Sequence, residues 1–180
     1  MAVTRSALIV IDMLNPYEHS DAEPLAANVE GMIGPLRRLI DTAEKDDDVL
    51  VLYVNDNYGD FSADRQDLIE RALEGRRPDL VEPIVPPSGC GFLAKVRHSA
   101  FYGTALEYVL SREKVERVVL TGQVTEQCVL YSALDAYVRH FQIKVVRDAV
   151  AHIHADLGDA ALRMMEGNMR AEIVTADRCF

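Results

Sequence analysis

The chain is poor in cysteine, poor in basic charge and without long hydrophobic runs, and each shortage removes a class of protein. Three cysteines, Cys90, Cys128 and Cys179, in 180 residues are too few and of the wrong parity for a disulfide framework. They point instead to a reducing compartment and a cytoplasmic protein. No C-x-x-C pair occurs, which leaves a dithiol redox centre without its usual partner. The longest apolar stretch near the N-terminus, Ala7–Ile11, is far too short for a signal peptide or a membrane span. Nineteen Lys and Arg against 29 Asp and Glu give a formal net charge of −10. Nucleic acid and anionic membrane both need a concentrated basic face, so neither is expected as a partner. No repeat and no low-complexity segment breaks the chain, whose length fits one domain over residues 1–180 with a core that needs no metal or disulfide.

What is present is a rhythm of short apolar runs and longer amphipathic ones. Strands are predicted at Ala7–Asp12, Val49–Val54, Phe92–Val96, Arg117–Leu120, Ile143–Val146 and Glu172–Thr175. Helices are predicted at about Asn28–Lys45, Ala63–Glu74, Thr104–Arg112, from Thr125 to about His140, and Ala155–Glu166. The Asp46-Asp47-Asp48 run reads as a solvated turn, and Pro78–Gly89 as a rigid surface connection. Strands apolar throughout and separated by helices imply a parallel sheet covered on both faces: an α/β fold, a three-layer α/β/α sandwich of six strands.

Cys128 stands out within Thr121-Gly122-Gln123-Val124-Thr125-Glu126-Gln127-Cys128-Val129, a strand end, turn and helix start with Thr125 as the expected N-cap. A thiol in a first helical turn meets unpaired N–H groups and the positive end of the helix dipole, so its pKa is expected to be depressed. By helical phase Val129, Leu130, Ala133, Leu134, Tyr137, Val138 and Phe141 form the apolar face, with Cys128, Ser132, Asp135 and Arg139 opposite.

Active sites of open parallel sheets form beyond the carboxyl ends of the strands. That rule selects Asp12 after the first strand, Lys95 at the end of the third and Cys128 after the fourth. A carboxylate can take the thiol proton, an ammonium can stabilise both anions, and the helix start can supply N–H donors for an oxyanion.

Three stretches carry a family likeness: Ala7-Leu8-Ile9-Val10-Ile11-Asp12-Met13-Leu14-Asn15, Lys95 followed by His98-Ser99-Ala100-Phe101, and Thr121 to Val129 around Cys128. In these the chain resembles the isochorismatase-like cysteine hydrolases, which include nicotinamidases and N-carbamoylsarcosine amidohydrolase. The resemblance implies a Rossmann-like sheet of order 3-2-1-4-5-6 and a catalytic triad of Asp12, Lys95 and Cys128. It also implies a cis peptide between Val124 and Thr125, with the N–H groups of Thr125 and Cys128 facing the reacting oxygen, and a homodimer or homotetramer. In that strand order Lys95 starts roughly 10 Å from the Asp12 strand and must lean across on its long stem.

The reaction this predicts is hydrolysis of a C–N bond in a small amide, carbamoyl or lactam compound through a thioester, without a cofactor. Nicotinamidases hold a divalent metal through an Asp-x-His motif after the second strand. Here that place reads Asn55-Asp56-Asn57-Tyr58-Gly59-Asp60, without histidine, so no catalytic metal is expected. His152-Ile153-His154 lacks a third ligand and reads as a surface loop. Tyr17, Asn57, His98, Phe101 and Tyr131 are the expected substrate contacts, from loops that reach the site. Three other readings stay open: vinyl ether hydrolysis of the isochorismatase type, a thiol redox sensor, and a non-catalytic small-molecule binder.

Overall fold

In the computed structural model, which describes residues 4–180, the apolar runs become parallel strands β1 (Ser6–Ile11), β2 (Val49–Asp56), β3 (Gly91–Lys95), β4 (Arg117–Gln123), β5 (Gln142–Ala151) and β6 (Glu172–Val174). They form one sheet of order β3-β2-β1-β4-β5-β6. Side chains alternate across it. Leu8 and Val10 of β1 face a layer made by α1 (Ala22–Ala43), α2 (Arg65–Leu73) and α3 (Pro78–Val81). Ala7, Ile9 and Ile11 face the other, made by α4 (Leu106–Arg112), α5 (Leu130–Val138) and α6 (Ala155–Met169). Among the described residues no helix is long and apolar enough to cross a membrane.

Chain direction across the sheet reverses between β1 and β4, and a cleft opens there beyond the strand ends. Gly122 makes the close pairing of these strands feasible: its φ is +103°, and an added Cβ would strike the Ile11 backbone oxygen. The β4–β5 register also shifts between Leu120 and Gly122. Several elements overrun their predicted bounds. β2 continues to Asp56, β4 to Gln123 and β5 to Ala151, while α1 begins at Ala22 because Pro24 falls in its first turn, where a missing N–H costs nothing.

The segment after β4 departs furthest from expectation. Thr125–Val129 is a π-helical turn, Val124 rather than Thr125 is the N-cap, and the buried Thr125 hydroxyl has no hydrogen-bond partner. The cis peptide is Gln123–Val124, one residue earlier than expected, because the strand runs three residues beyond Leu120 and the chain turns directly after it. The wider turn also alters the helical phase. Cys128 and Ser132, expected on the polar face, are buried, whereas Leu134 and Val138 are 46% and 56% exposed. Ser132 is drawn inward by two hydrogen bonds: its Oγ donates to the Cys128 carbonyl (2.6 Å) and accepts from the Ala100 amide (2.9 Å).

Candidate active site

Three chain segments bring their polar ends to the cleft. Asp12 follows β1 with φ +53°, a left-handed conformation that Asp tolerates better than most residues. Its N–H donates to Val54 O (3.0 Å), its carbonyl accepts from Gln123 Nε2 (2.7 Å), and its Oδ1 accepts from the Asp56 amide (2.7 Å). Those bonds fix the carboxylate and leave Oδ2 directed at Lys95.

Lys95 pairs in register with Asp56 on the neighbouring strand β2, and its side chain crosses that strand to reach β1. Its ammonium lies 2.8 Å from Asp12 Oδ2 and 3.4 Å from Asp56 Oδ2, and it donates to the Arg97 carbonyl at 3.0 Å. Cys128 Sγ is 3.6 Å from the same nitrogen. The stem therefore spans the two-strand gap, and Asp12, Lys95 and Cys128 meet at one point.

The electrostatics differ from the sequence expectation in one respect. Burial and then the adjacent Asp12 carboxylate push the Cys128 thiol up, outweighing the pull of Lys95. A depressed thiol pKa was expected from the helix start, but a π-helical turn and a carboxylate neighbour replace that environment. Burial likewise raises the Asp12 carboxyl, against the opposing pull of Lys95. For Lys95 burial works against the charge, yet Asp12 and Cys128 hold its pKa above the ordinary lysine range. The resting arrangement is thus a neutral thiol beside an ion pair, with a carboxylate made more basic by desolvation.

A cavity of about 360 Å³ opens onto the thiol. Cys128, Asp12 and Asp56 form its floor; Tyr58, Val124 and Ile153 make up the apolar wall. Asn15, Gln123 and Gln127 contribute amides, and His19, Asp21 and Leu25 come from the start of α1 and the loop before it.

Of the five expected substrate contacts, none lines this cavity. Tyr17 is buried behind Gln123, its hydroxyl donating to Gln123 Oε1 (3.4 Å), and burial pushes its phenol up to about 12. Asn57 accepts from the Gly59 amide (3.0 Å) and shapes a turn. Phe101 is core, between the Arg139 guanidinium and Phe141. Tyr131 is half-exposed and packs its ring against His98 (centroids 5.4 Å apart). His98 alone approaches the chemistry, with Nδ1 3.8 Å from Cys128 Sγ. Among the described residues no group of three or more His, Cys, Asp or Glu is placed to hold a metal ion. The His152–His154 loop is occupied structurally, the Ile153 and His154 amides both donating to Glu126 Oε1 (2.9 Å).

Compared with known proteins, the chain matches the family description Isochorismatase domain over residues 6–178. It is 33% identical over 178 residues to the uncharacterized isochorismatase family protein YaaI of Bacillus subtilis, covering 99% of this chain and 98% of that one. Over 166 residues it is 30% identical to maleamate amidohydrolase of Pseudomonas putida, covering 88% and 78% respectively. Among solved structures, N-carbamoylsarcosine amidase from Thermoplasma acidophilum superposes with a TM-score of 0.77 at 29% identity, covering 97% of this chain and 98% of that one.

Proposed function

Because the chain belongs to the isochorismatase family, we propose that it is a cysteine amidohydrolase that cleaves the C–N bond of a small amide, carbamoyl or lactam compound. The observation that carries this reading is the meeting of thiol, carboxylate and ammonium around one nitrogen, within 3.6 Å of Lys95 Nζ, on the floor of an open cavity. The amidohydrolase and amidase names of two relatives support the same chemistry.

In the first step Asp12 takes the proton from Cys128 as sulfur attacks the substrate carbonyl, forming the S–C bond and a tetrahedral oxyanion. The Gln127 and Val129 amides are committed to the Val124 carbonyl (3.0 and 3.2 Å). We assign the oxyanion to the Cys128 N–H and to the Val124 N–H, which follows the cis bond and donates to the Cys128 sulfur, rather than to the Thr125 N–H expected from the sequence. Collapse breaks the C–N bond, and Asp12 returns its proton to the leaving amine or ammonia. Water then enters, Asp12 removes its proton, the resulting attack on the thioester breaks the C–S bond to release acid, and Asp12 returns the proton to the departing sulfur, restoring thiol and carboxylate. Lys95 remains charged throughout and balances whichever of Asp12 and Cys128 is anionic. A raised Asp12 pKa suits this exchange, since a more basic carboxylate accepts the thiol proton at smaller cost.

The test is release of ammonia or amine from a panel of small primary and secondary amides. Cys128→Ala should lower the rate by at least about 10³-fold while leaving the folded state intact. Full amide hydrolysis in that variant would refute the cysteine mechanism, whereas no amine release from any amide, together with cleavage of a vinyl ether that Cys128→Ala spares, would favour the isochorismatase-type reading.

A further inference from the structure

The cavity beside the thiol has a charge asymmetry that narrows the substrate. Lys95 is the one cation against its floor, and the ammonium is already engaged by Asp12, Asp56 and the Arg97 carbonyl. Among the described residues no Lys or Arg lines the cavity itself; Lys95 lies behind Asp12 and Asp56, and His19 is the one basic side chain in the lining. Asp21 lies at its exposed mouth, where it precedes α1 without a side-chain capping bond, and its carboxylate has no hydrogen-bond or ion-pair partner among the described residues. Three carboxylates therefore face one committed ammonium.

A substrate carboxylate entering this space would lose hydration with only the His19 ring and side-chain amides to receive it, and would face the Asp21 carboxylate, which no ion pair balances among the described residues. An ammonium, or a neutral N–H group, would find an acceptor in Asp21. We propose that the site selects amides whose non-reacting portion is neutral or cationic, with Asp21 as a specificity-determining residue, and discriminates against amides that carry a carboxylate. The proposal rests on the amidohydrolase reading for its substrate, but its electrostatic content can be measured without turnover.

Iodoacetamide and iodoacetate are near isosteres, one neutral and one anionic. Both alkylate a thiol by forming a C–S bond as iodide leaves and the thiol proton is lost, so the nucleophile cancels in their rate ratio. With the full chain, mass spectrometry of the Cys128 peptide gives that ratio at the site. It should exceed the ratio for a small neutral thiol in the same buffer by about tenfold, shrink as salt is added, and fall several-fold in Asp21→Asn. A ratio equal to or below that of the free thiol, or one untouched by Asp21→Asn, overturns the proposal.

Turnover gives a second readout on β-alaninamide, butyramide and succinamate, which carry positive, zero and negative charge. kcat/KM should fall in that order, with Asp21→Asn narrowing the spread. Preference for succinamate overturns this inference while leaving amide hydrolysis standing. Failure to hydrolyse any amide counts against the amidohydrolase reading, and the alkylation ratio still decides the charge selectivity.

Discussion

Replacing Lys95 by Met removes one charge and strands two. Its ammonium is fully buried, and the Asp12 side chain it binds at 2.8 Å is only 11% exposed. At that separation and an effective dielectric of about 20, the Coulomb attraction is about 6 kcal/mol. Part of that offsets the cost of burying both ions, and deleting one member of such a pair typically costs about 3–5 kcal/mol. In urea this should lower the unfolding midpoint by roughly 1–3 M. The loss should also depend on pH in a particular direction. Burial already raises the Asp12 carboxyl while Lys95 restrains it, so Lys95→Met should raise it further. A carboxyl with a folded pKa above its unfolded value binds protons more tightly in the native state, and its penalty is present at neutral pH and relieved as pH falls. The deficit of Lys95→Met should therefore be smaller near pH 5 than near pH 8. Adding Asp12→Asn should recover much of the stability at neutral pH, giving a coupling of about 2 kcal/mol or more in the double-mutant cycle. Additive effects, or a Lys95→Met variant within about 0.5 kcal/mol of the parent, would refute the ion-pair account.

The thiol gives a second prediction. The Asp12 carboxylate raises the Cys128 pKa and Lys95 lowers it, so Asp12→Asn should increase the thiolate fraction. Iodoacetamide should then alkylate Cys128 roughly tenfold faster near neutral pH, even as amide hydrolysis collapses for want of a base; slower alkylation would contradict this. The parent's alkylation profile should lie to higher pH than that of a free cysteine, because a raised pKa delays thiolate formation. At the strand junction, Gly122→Ala should cost about 2–4 kcal/mol in chemical denaturation, since the added Cβ meets the Ile11 backbone and φ is +103°. A loss below about 0.5 kcal/mol would show that β1 and β4 can separate at little cost.

The parallel sheet was legible because its strands are unbroken apolar runs, such as Leu8-Ile9-Val10-Ile11, alternating with amphipathic helices. Asp12, Lys95 and Cys128 were found by the strand-end rule, and the structure brings those three side chains together. The cavity walls escaped for one shared reason, the placement of element boundaries. Ending the second strand at Val54 put Asp56 in a polar turn rather than on the strand, where it stands in register with Lys95. Stopping the fourth at Leu120 hid Gln123. Starting the first helix at Asn28 left His19, Asp21 and Leu25 in an unassigned loop, although Pro24 was a signal for a helix's first turn. The aromatic candidates failed differently: Tyr17 and Phe101 satisfy packing demands that ring chemistry alone does not distinguish from ligand contact. The thiol's environment was unreadable because a π-helical turn has no sequence signature comparable to an α-helical N-cap.

Acid quenching of the protein during turnover of a hydrolysed amide, followed by intact and peptide mass spectrometry, tests the central claim most directly. A transient mass increase equal to the substrate's acyl portion, confined to the Cys128 peptide and absent from Cys128→Ala, is the expected result. Sustained hydrolysis with no adduct on Cys128, and with Cys128→Ala as active as the parent, would contradict it.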